Sequence, residues 1–79
     1  MNISKGQSVA LSFFIKQDDG SGECFIVQAT FTGKKTTKDS IDYFRFENNS
    51  TARPYMLTHE KLKGMLCADL VDCDEIVID

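Results

Sequence analysis

The stretch from Val9 to Phe31 constrains the fold most, because apolar and polar residues alternate on both sides of one short turn. Alternation with a period of two places apolar side chains on one face and is typical of a half-buried strand. Residues 18–22 (Asp-Asp-Gly-Ser-Gly) are of the types that favour a tight reversal. The sequence therefore predicts an antiparallel hairpin, whose apolar faces are formed by Val9, Leu11, Phe13 and Ile15 and by Phe25, Val27, Ala29 and Phe31. Phe14 interrupts the polar face, which predicts some cover on that side as well.

The segments around this hairpin are less regular. Residues 1–6 carry no periodic pattern and are predicted to be a loosely held terminus, and the polar residues 33–40 are predicted to be a loop. Residues 41–47 then predict a third strand, with Phe44 and Phe46 on the buried face and Tyr43 and Arg45 on the other. Residues 54–57 are predicted to be extended, and the proline confines such a strand to an edge or a strand start.

A helix is predicted after this point. Thr58 is a suitable N-cap, and Glu60 in the first turn suits the helix dipole. Apolar residues follow at helical spacing over about three turns, namely Leu62, Met65, Leu66 and Leu70. Gly64 weakens this helix by about 1 kcal/mol relative to alanine. The apolar run at residues 75–78 predicts a closing strand.

Together these elements predict a single α+β domain spanning residues 1–79. The strands follow one another mostly in hairpin order, which indicates an antiparallel sheet of four to five strands packed by one helix near the C-terminus. The alternative architecture is a small barrel of the SH3 or oligonucleotide-binding kind. A chain of 79 residues forms one domain and buries only about 60% of the surface that its unfolded chain exposes.

Charge is unevenly distributed along the chain, whose formal net charge is −3. The last eleven residues contain no lysine or arginine, but they hold five acids: Asp69, Asp72, Asp74, Glu75 and Asp79. Lysines cluster instead at Lys34, Lys35 and Lys38. An acidic domain is a poor general binder of nucleic acid, because that affinity comes largely from cations that neutralise phosphates.

Cysteine usage and the N-terminus predict the compartment. The three cysteines, Cys24, Cys67 and Cys73, have no spacing typical of a disulfide framework, so free thiols are expected. No apolar run follows the first six residues, and no stretch approaches the ~20 apolar residues that span a bilayer. We therefore expect a cytoplasmic protein that does not contact membranes.

No motif predicts catalysis, a cofactor or a metal. His59 begins a zinc-protease-like pattern, but the second histidine position is Lys63, and the chain has one histidine. Cys67 and Cys73 are six residues apart, which is too wide for the close ligand pairs of structural zinc sites. Gly33 and Lys34 lack both the upstream glycine and the hydroxyl residue of a phosphate loop. We expect a protein that is not an enzyme.

The sequence thus predicts a protein-binding module that works through its surface. Tyrosine and arginine dominate protein–protein hot spots, and acidic segments steer a protein toward a basic partner. The predicted contact residues are Tyr43, Arg45, Arg53, Tyr55, Asp69, Asp72, Asp74 and Glu75, and Phe14 is expected near the tyrosine and arginine face. Small acidic α+β chains without catalytic motifs are frequent among phage and mobile-element inhibitors of bacterial defence or host enzymes, anti-CRISPR proteins included. The chain is expected to be a monomer or a homodimer, the latter through an exposed strand edge.

The alternative function is binding of single-stranded nucleic acid by an aromatic and basic sheet face. Aromatic rings stack on bases, and lysines neutralise the backbone. This hypothesis uses Lys34, Lys35, Lys38 and Tyr43, with Phe44 and Phe46 as further rings. Nucleic acid is the less expected partner because of the net negative charge.

Overall fold

A computed structural model describes residues 2–66 and 76–78 of the chain. The elements in chain order are β1 (Asn2–Ile3), β2 (Ser8–Lys16), β3 (Gly22–Lys38), β4 (Ile41–Asn48), β5 (Pro54–Leu57), α1 (His59–Met65) and β6 (Val77–Ile78). Strands β2 to β5 form an antiparallel sheet in sequence order, and β1 pairs with β6 in parallel. The predicted α+β class, with a mostly antiparallel sheet and one helix, is confirmed. No ladder joins β2 to β5 among these residues, so the sheet does not close into a barrel.

The hairpin β2–β3 is confirmed with an unbroken register from Ser8 opposite Thr30 to Lys16 opposite Gly22. Its turn is held by the Asp19 carboxylate, which accepts bonds from the main-chain N–H of Ser21 at 2.9 Å and from its hydroxyl at 2.6 Å. Gly20 adopts a φ of +89°, a left-handed conformation that glycine reaches at no steric cost. The turn chemistry therefore supplies both the reversal and the register.

Residues 33–40 are not the loop that their polarity predicts. Strand β3 continues to Lys38, where it lies opposite Ile41, and only Asp39 and Ser40 form the turn into β4. The register shifts between Phe31 and Lys35, which marks a β-bulge. Beyond this bulge β3 is exposed on both faces. Because neither face is buried, the sequence does not alternate between apolar and polar residues there, and the strand could not be predicted.

Strand β3 is shared between two hairpins that leave in opposite directions. Its first half pairs with β2 and its second half with β4, and the two ladders overlap only at Ala29 and Thr30. The distal part of β2–β3, residues 12–16 and 22–26, therefore extends from the sheet as a two-stranded arm. The arm contributes to a radius of gyration of 13.1 Å, against about 12 Å for a compact chain of this length.

The arm corrects the predicted burial of the hairpin. Ile15 and Phe25 belong to the expected apolar face but are 48% and 41% exposed. Phe14, for which cover was expected, is 68% exposed. The alternation correctly predicts which side chains share a face. Burial also requires another element packed against that face, and none covers the distal end of the arm among the described residues.

The core lies at the proximal end of the hairpin, under β3, β4 and α1. Its fully buried side chains are Ile3, Leu11, Phe31, Phe46 and Leu62, with Val9, Ala29, Phe44 and Leu57 beside them. Burial of Phe44 and Phe46 confirms the predicted inner face of β4. Within the segment predicted to be loosely held, Asn2 and Ile3 are tied to the rest of the chain, because the side chain of Ile3 is completely buried and β1 pairs with β6.

The helix is shorter than predicted. The Thr58 hydroxyl accepts a bond from the Lys61 N–H at 3.2 Å, which confirms the N-cap. The helix ends at Met65, since Leu66 is extended and forms a bridge with Leu11 of β2. Leu70, expected in a third turn, lies outside the described residues. Pro54 starts the edge strand β5, and residues 77–78 of the predicted closing strand form β6, both as expected.

Candidate functional site

The four-stranded sheet curls until its two edge strands approach one another. The rings of Phe13 on β2 and Tyr55 on β5 lie 5.1 Å apart between centroids. Phe25 stacks on the other side of Phe13, at 5.5 Å. The bulge in β3 is consistent with this curl, because bulges bend a strand and increase its local twist. Beyond the bridge between Leu11 and Leu66, the outer edge of β2 has no strand beside it among the described residues. It faces the edge of β5, which is also unpaired among these residues, across a layer of aromatic rings.

An open cleft of about 560 Å³ lies between these two edges, and we call it the edge cleft. Strand β2 lines one wall, β5 the opposite wall, and the exposed side of α1 the end. The side chains that shape it are Phe13, Phe14, Tyr55, Met56, Lys61 and Met65. The Ser12 hydroxyl, the Lys61 amine and the Tyr55 hydroxyl are the polar side-chain groups of the lining, and the other side chains are apolar, so the cleft offers an apolar floor with a few polar groups.

The edge cleft also presents main-chain groups. Gln17 N–H donates to Ser21 C=O, and Phe31 N–H donates to Gln7 C=O, so odd-numbered residues of β2 bond to β3. The N–H and C=O of Phe14 therefore point away from β3, toward the cleft. Next to β5, the Asn48 N–H donates to the Arg53 C=O, so odd-numbered residues of β5 bond to β4. The main-chain N–H and C=O of Met56, an even-numbered residue, therefore point away from β4. The described residues give these groups of Phe14 and Met56 no hydrogen-bond partner.

The outer face of the arm adds apolar surface next to the edge cleft. Phe14 and Ile26 are 68% and 62% exposed, the highest values among the large apolar side chains of the described residues. The Phe14 ring lies over Gly22, in the space that a Cβ at that position would fill. Apolar side chains clustered in the open are typical of interaction sites, whereas isolated ones are ordinary.

The predicted contact residues do not form one surface. Tyr43 and Arg45 lie on the outer face of β4, where Arg45 is 3.6 Å from the Glu47 carboxylate. Tyr55 lies opposite Phe46 and so on the inner face, and its hydroxyl accepts a bond from the Asn48 amide at 3.2 Å. Arg53 is exposed in the turn between β4 and β5. Of these residues, Tyr55 alone lines the edge cleft.

The acidic residues assigned to the partner surface, Asp69, Asp72, Asp74 and Glu75, all lie outside the described residues. The same holds for Cys67 and Cys73. Their part in binding stays a prediction from the sequence.

The residues of the nucleic-acid hypothesis are also divided. Lys38 and Tyr43 share one face of the β3–β4 hairpin, whereas Lys35 lies opposite Phe44 and so on the other face. Lys34 falls within the bulge. Phe44 and Phe46 are 4% and 0% exposed, so neither ring offers a surface on which a base could stack. The lysines are accessible, but the platform that stacking requires is buried.

The titratable and sulfur-bearing groups form no reactive cluster among the described residues. The Cys24 thiol is exposed and lies 3.2 Å from the Ser12 hydroxyl, and the His59 ring packs edge-on against Phe44 at 4.9 Å. No group of three metal-binding side chains occurs within residues 2–66 and 76–78. The Ser21 hydroxyl and main-chain N–H lower the pKa of Asp19 below 3.8, which reflects a stable turn.

Sequence reasoning missed Met56 as a site residue, and it placed Phe14 beside the predicted surface of Tyr43 and Arg45 instead of beside Met56. Phe14 gave a signal, since a phenylalanine on the polar face of an alternating strand needs either cover or a partner. Met56 gave none, because the edge cleft arises only when β5 curls toward β2, and that approach depends on contacts distant in sequence.

No protein-family model, curated protein or solved structure matches this chain. The one helix in the described part of the chain has seven residues, well below the length that crosses a membrane.

Proposed function

We propose that the chain is a protein-binding module whose edge cleft receives an extended segment of a partner protein. The observation that carries the proposal is that the edge of β2 beyond its bridge to Leu66 faces the edge of β5 across an apolar floor, with no strand between them among the described residues. An exposed strand edge binds an added strand through main-chain hydrogen bonds, and neighbouring pockets take alternate side chains. The edge cleft combines both elements in one place.

The binding mode follows from the groups that point into the cleft. The N–H and C=O of Phe14 bond one side of the incoming strand, and those of Met56 bond the other. Alternate side chains of the strand then pack on the rings of Phe13 and Tyr55. Partner segments with apolar residues at every second position and no proline at the bonded positions fit this geometry best.

Charge sets the remaining features of the partner. The net charge of −3 favours encounter with a basic protein, and this steering raises the association rate more than the affinity. Binding of this kind acts by occupying a surface, which suits an inhibitor of a larger enzyme and requires no catalysis. A cytoplasmic location, where Cys24 stays reduced, belongs to the same proposal.

A capture experiment with matched variants tests this function. Met56→Glu places a charge in the edge cleft at a 42% exposed position, and Ile41→Glu makes the same change at a 47% exposed position outside it. We expect the wild type and Ile41→Glu to retain one protein from a bacterial lysate in comparable amounts, as quantified by mass spectrometry. Met56→Glu should retain at least about tenfold less, a loss of about 1.4 kcal/mol.

Equal capture by Met56→Glu and wild type, with circular dichroism showing both folded, would remove the edge cleft from the proposal. If no captured protein is retained in different amounts by the wild type, Ile41→Glu and Met56→Glu, the proposal itself would be contradicted.

A further inference from the structure

A further unpaired edge lies on the arm, on the side of β3 that faces away from β2. Strand β4 covers this side of β3 only from Gln28 onward, where the Gln28 carbonyl accepts a bond from Asn49 N–H at 2.9 Å. The five residues from Gly22 to Ile26 have no strand beside them on this side among the described residues. We call this segment the arm edge.

The arm edge presents main-chain donors and acceptors at alternate residues. Because odd-numbered residues of β3 bond to β2, the groups of Gly22, Cys24 and Ile26 point outward. The segment holds no proline and no lysine, and Glu23 is its only charged residue. Proteins that avoid edge pairing place proline, charged residues, bulges or cover at an exposed edge, and among the described residues the Glu23 charge is the one such device at this edge.

We propose that the arm edge pairs with the arm edge of a second copy of this chain, antiparallel and centred on Cys24. Two identical segments meet in this way about a two-fold axis, which makes the interface self-complementary. Gly22 then faces Ile26 of the second copy, and the two Cys24 residues face each other. These three hydrogen-bonded pairs contribute about six main-chain bonds and join the two arms into one four-stranded sheet.

The side chains on the outer face fit this register. The Phe14 ring lies over Gly22, so Ile26 of one copy meets the Phe14 ring of the other, and the contact occurs twice. Phe14 and Ile26 are the two most exposed large apolar side chains of the described residues. The dimer therefore covers these two apolar side chains, which the single chain leaves in water.

Charge also favours this register. Pairing centred on Glu23 would set two carboxylates directly against each other, whereas centring on Cys24 sets each Glu23 against Phe25 of the second copy. The same register brings the turn that carries Asp18 and Asp19 next to the turn between β4 and β5 of the other copy. The only charged residue of that second turn is Arg53, so opposite charges meet at both ends of the seam.

The size of the seam sets its strength. A standard stable interface buries about 800 Å² on each partner, and five residues of strand edge with two apolar side chains on each copy cover less. We therefore expect a reversible dimer whose population rises with concentration. The edge cleft stays open in this dimer because β5 and α1 take no part in the seam.

Sedimentation equilibrium measured over about 10 µM to 1 mM, the range in which weak interfaces associate, tests the dimer. Wild type should sediment between the monomer and dimer masses and approach the dimer mass at high concentration. Ile26→Lys should raise the dissociation constant at least about tenfold, while Ile41→Lys, an equally drastic change outside the seam, should leave it unchanged. A wild type that stays monomeric throughout, or an Ile26→Lys dimer as strong as wild type, would overturn the proposal.

Oxidative crosslinking tests the register itself. In a Cys67→Ser/Cys73→Ser background, Cys24 is the only thiol. Facing residues in a hydrogen-bonded pair have Cα atoms about 5.5 Å apart, within the range that a disulfide bridges. Mild oxidation should yield a covalent dimer, and adding Ile26→Lys should reduce its yield at least about fivefold. If the triple variant gives as much covalent dimer as its parent, the Cys24 thiols meet by random collision and not through the proposed seam, and the register would be contradicted.

Discussion

Gly22 illustrates how a residue without a side chain shapes its surroundings. The Phe14 ring occupies the space above it, which places that ring at the margin of the arm instead of over a neighbouring side chain. The ring is thereby available to the arm edge. Asp19 acts at the same scale, because its bonds to Ser21 hold the turn from which both arm strands extend.

The Asp19 carboxylate should titrate below 3.8, because hydrogen bonds from Ser21 favour its charged form. Since the pKa is lowered on folding, the linked stability is present above the unfolded value and is lost as pH falls through the folded value. Ser21→Ala removes the hydroxyl donor and should raise the pKa toward 3.8. Carboxyl NMR titration measures both values, and an unchanged pKa in the variant would contradict the assigned cause.

The helix cap is a second test at the residue scale. Thr58→Ala removes the hydroxyl that accepts the Lys61 N–H and should lower the free energy of unfolding by about 1 kcal/mol. Thr58→Ser keeps an oxygen in the same place and should cost less than half as much. Urea denaturation of the three proteins gives the comparison, and equal loss in both variants would assign the effect to the threonine methyl group.

At the scale of elements, the bulge in β3 depends on the left-handed backbone conformation of Gly33 more than on side-chain packing. Gly33 has a φ of +87°, so Gly33→Ala should destabilise the fold by about 1 to 2 kcal/mol. The Lys5 side chain near the position of the added Cβ is flexible and can move aside. Gly64→Ala in the helix meets no atom and should stabilise the fold by about 1 kcal/mol. Thermal or urea unfolding should give opposite signs, and equal signs would contradict this account of the two glycines.

The elements also separate what could be predicted from the sequence from what could not. The β2–β3 hairpin, the inner face of β4 and the Thr58 cap followed from residue spacing, because each is local or half-buried. The second half of β3 could not be predicted, since a strand exposed on both faces needs no alternation. The edge cleft could not be predicted either, because it depends on the curl that brings Tyr55 toward Phe13.

At the scale of the whole molecule, the N-terminal segment is tied to the core. Ile3 is completely buried, and β1 pairs with β6 from the far end of the chain. Ile3→Ala should therefore lower the free energy of unfolding by about 2 to 5 kcal/mol, as expected for a buried aliphatic residue. Asn2→Ala, at an exposed neighbouring position, should change it by less than about 0.5 kcal/mol. A similarly small effect of both changes, measured by urea denaturation, would restore the loosely held terminus that the sequence predicts.

At the scale of the whole molecule, we propose separate roles for two sites in the described part of the chain, the edge cleft for a partner protein and the arm edge for a second copy. The two can be distinguished by which main-chain amides each would protect. A strand in the edge cleft protects the amides of Phe14 and Met56, whereas the dimer seam protects those of Cys24 and Ile26.

Amide hydrogen exchange by NMR, recorded for the protein alone and bound to the partner captured by the wild type, tests the central claim most directly. The account predicts that the amides of Phe14 and Met56 exchange rapidly in the free protein and at least about tenfold more slowly in the complex. A complex in which both amides exchange as fast as in the free protein would contradict the addition of a strand between β2 and β5.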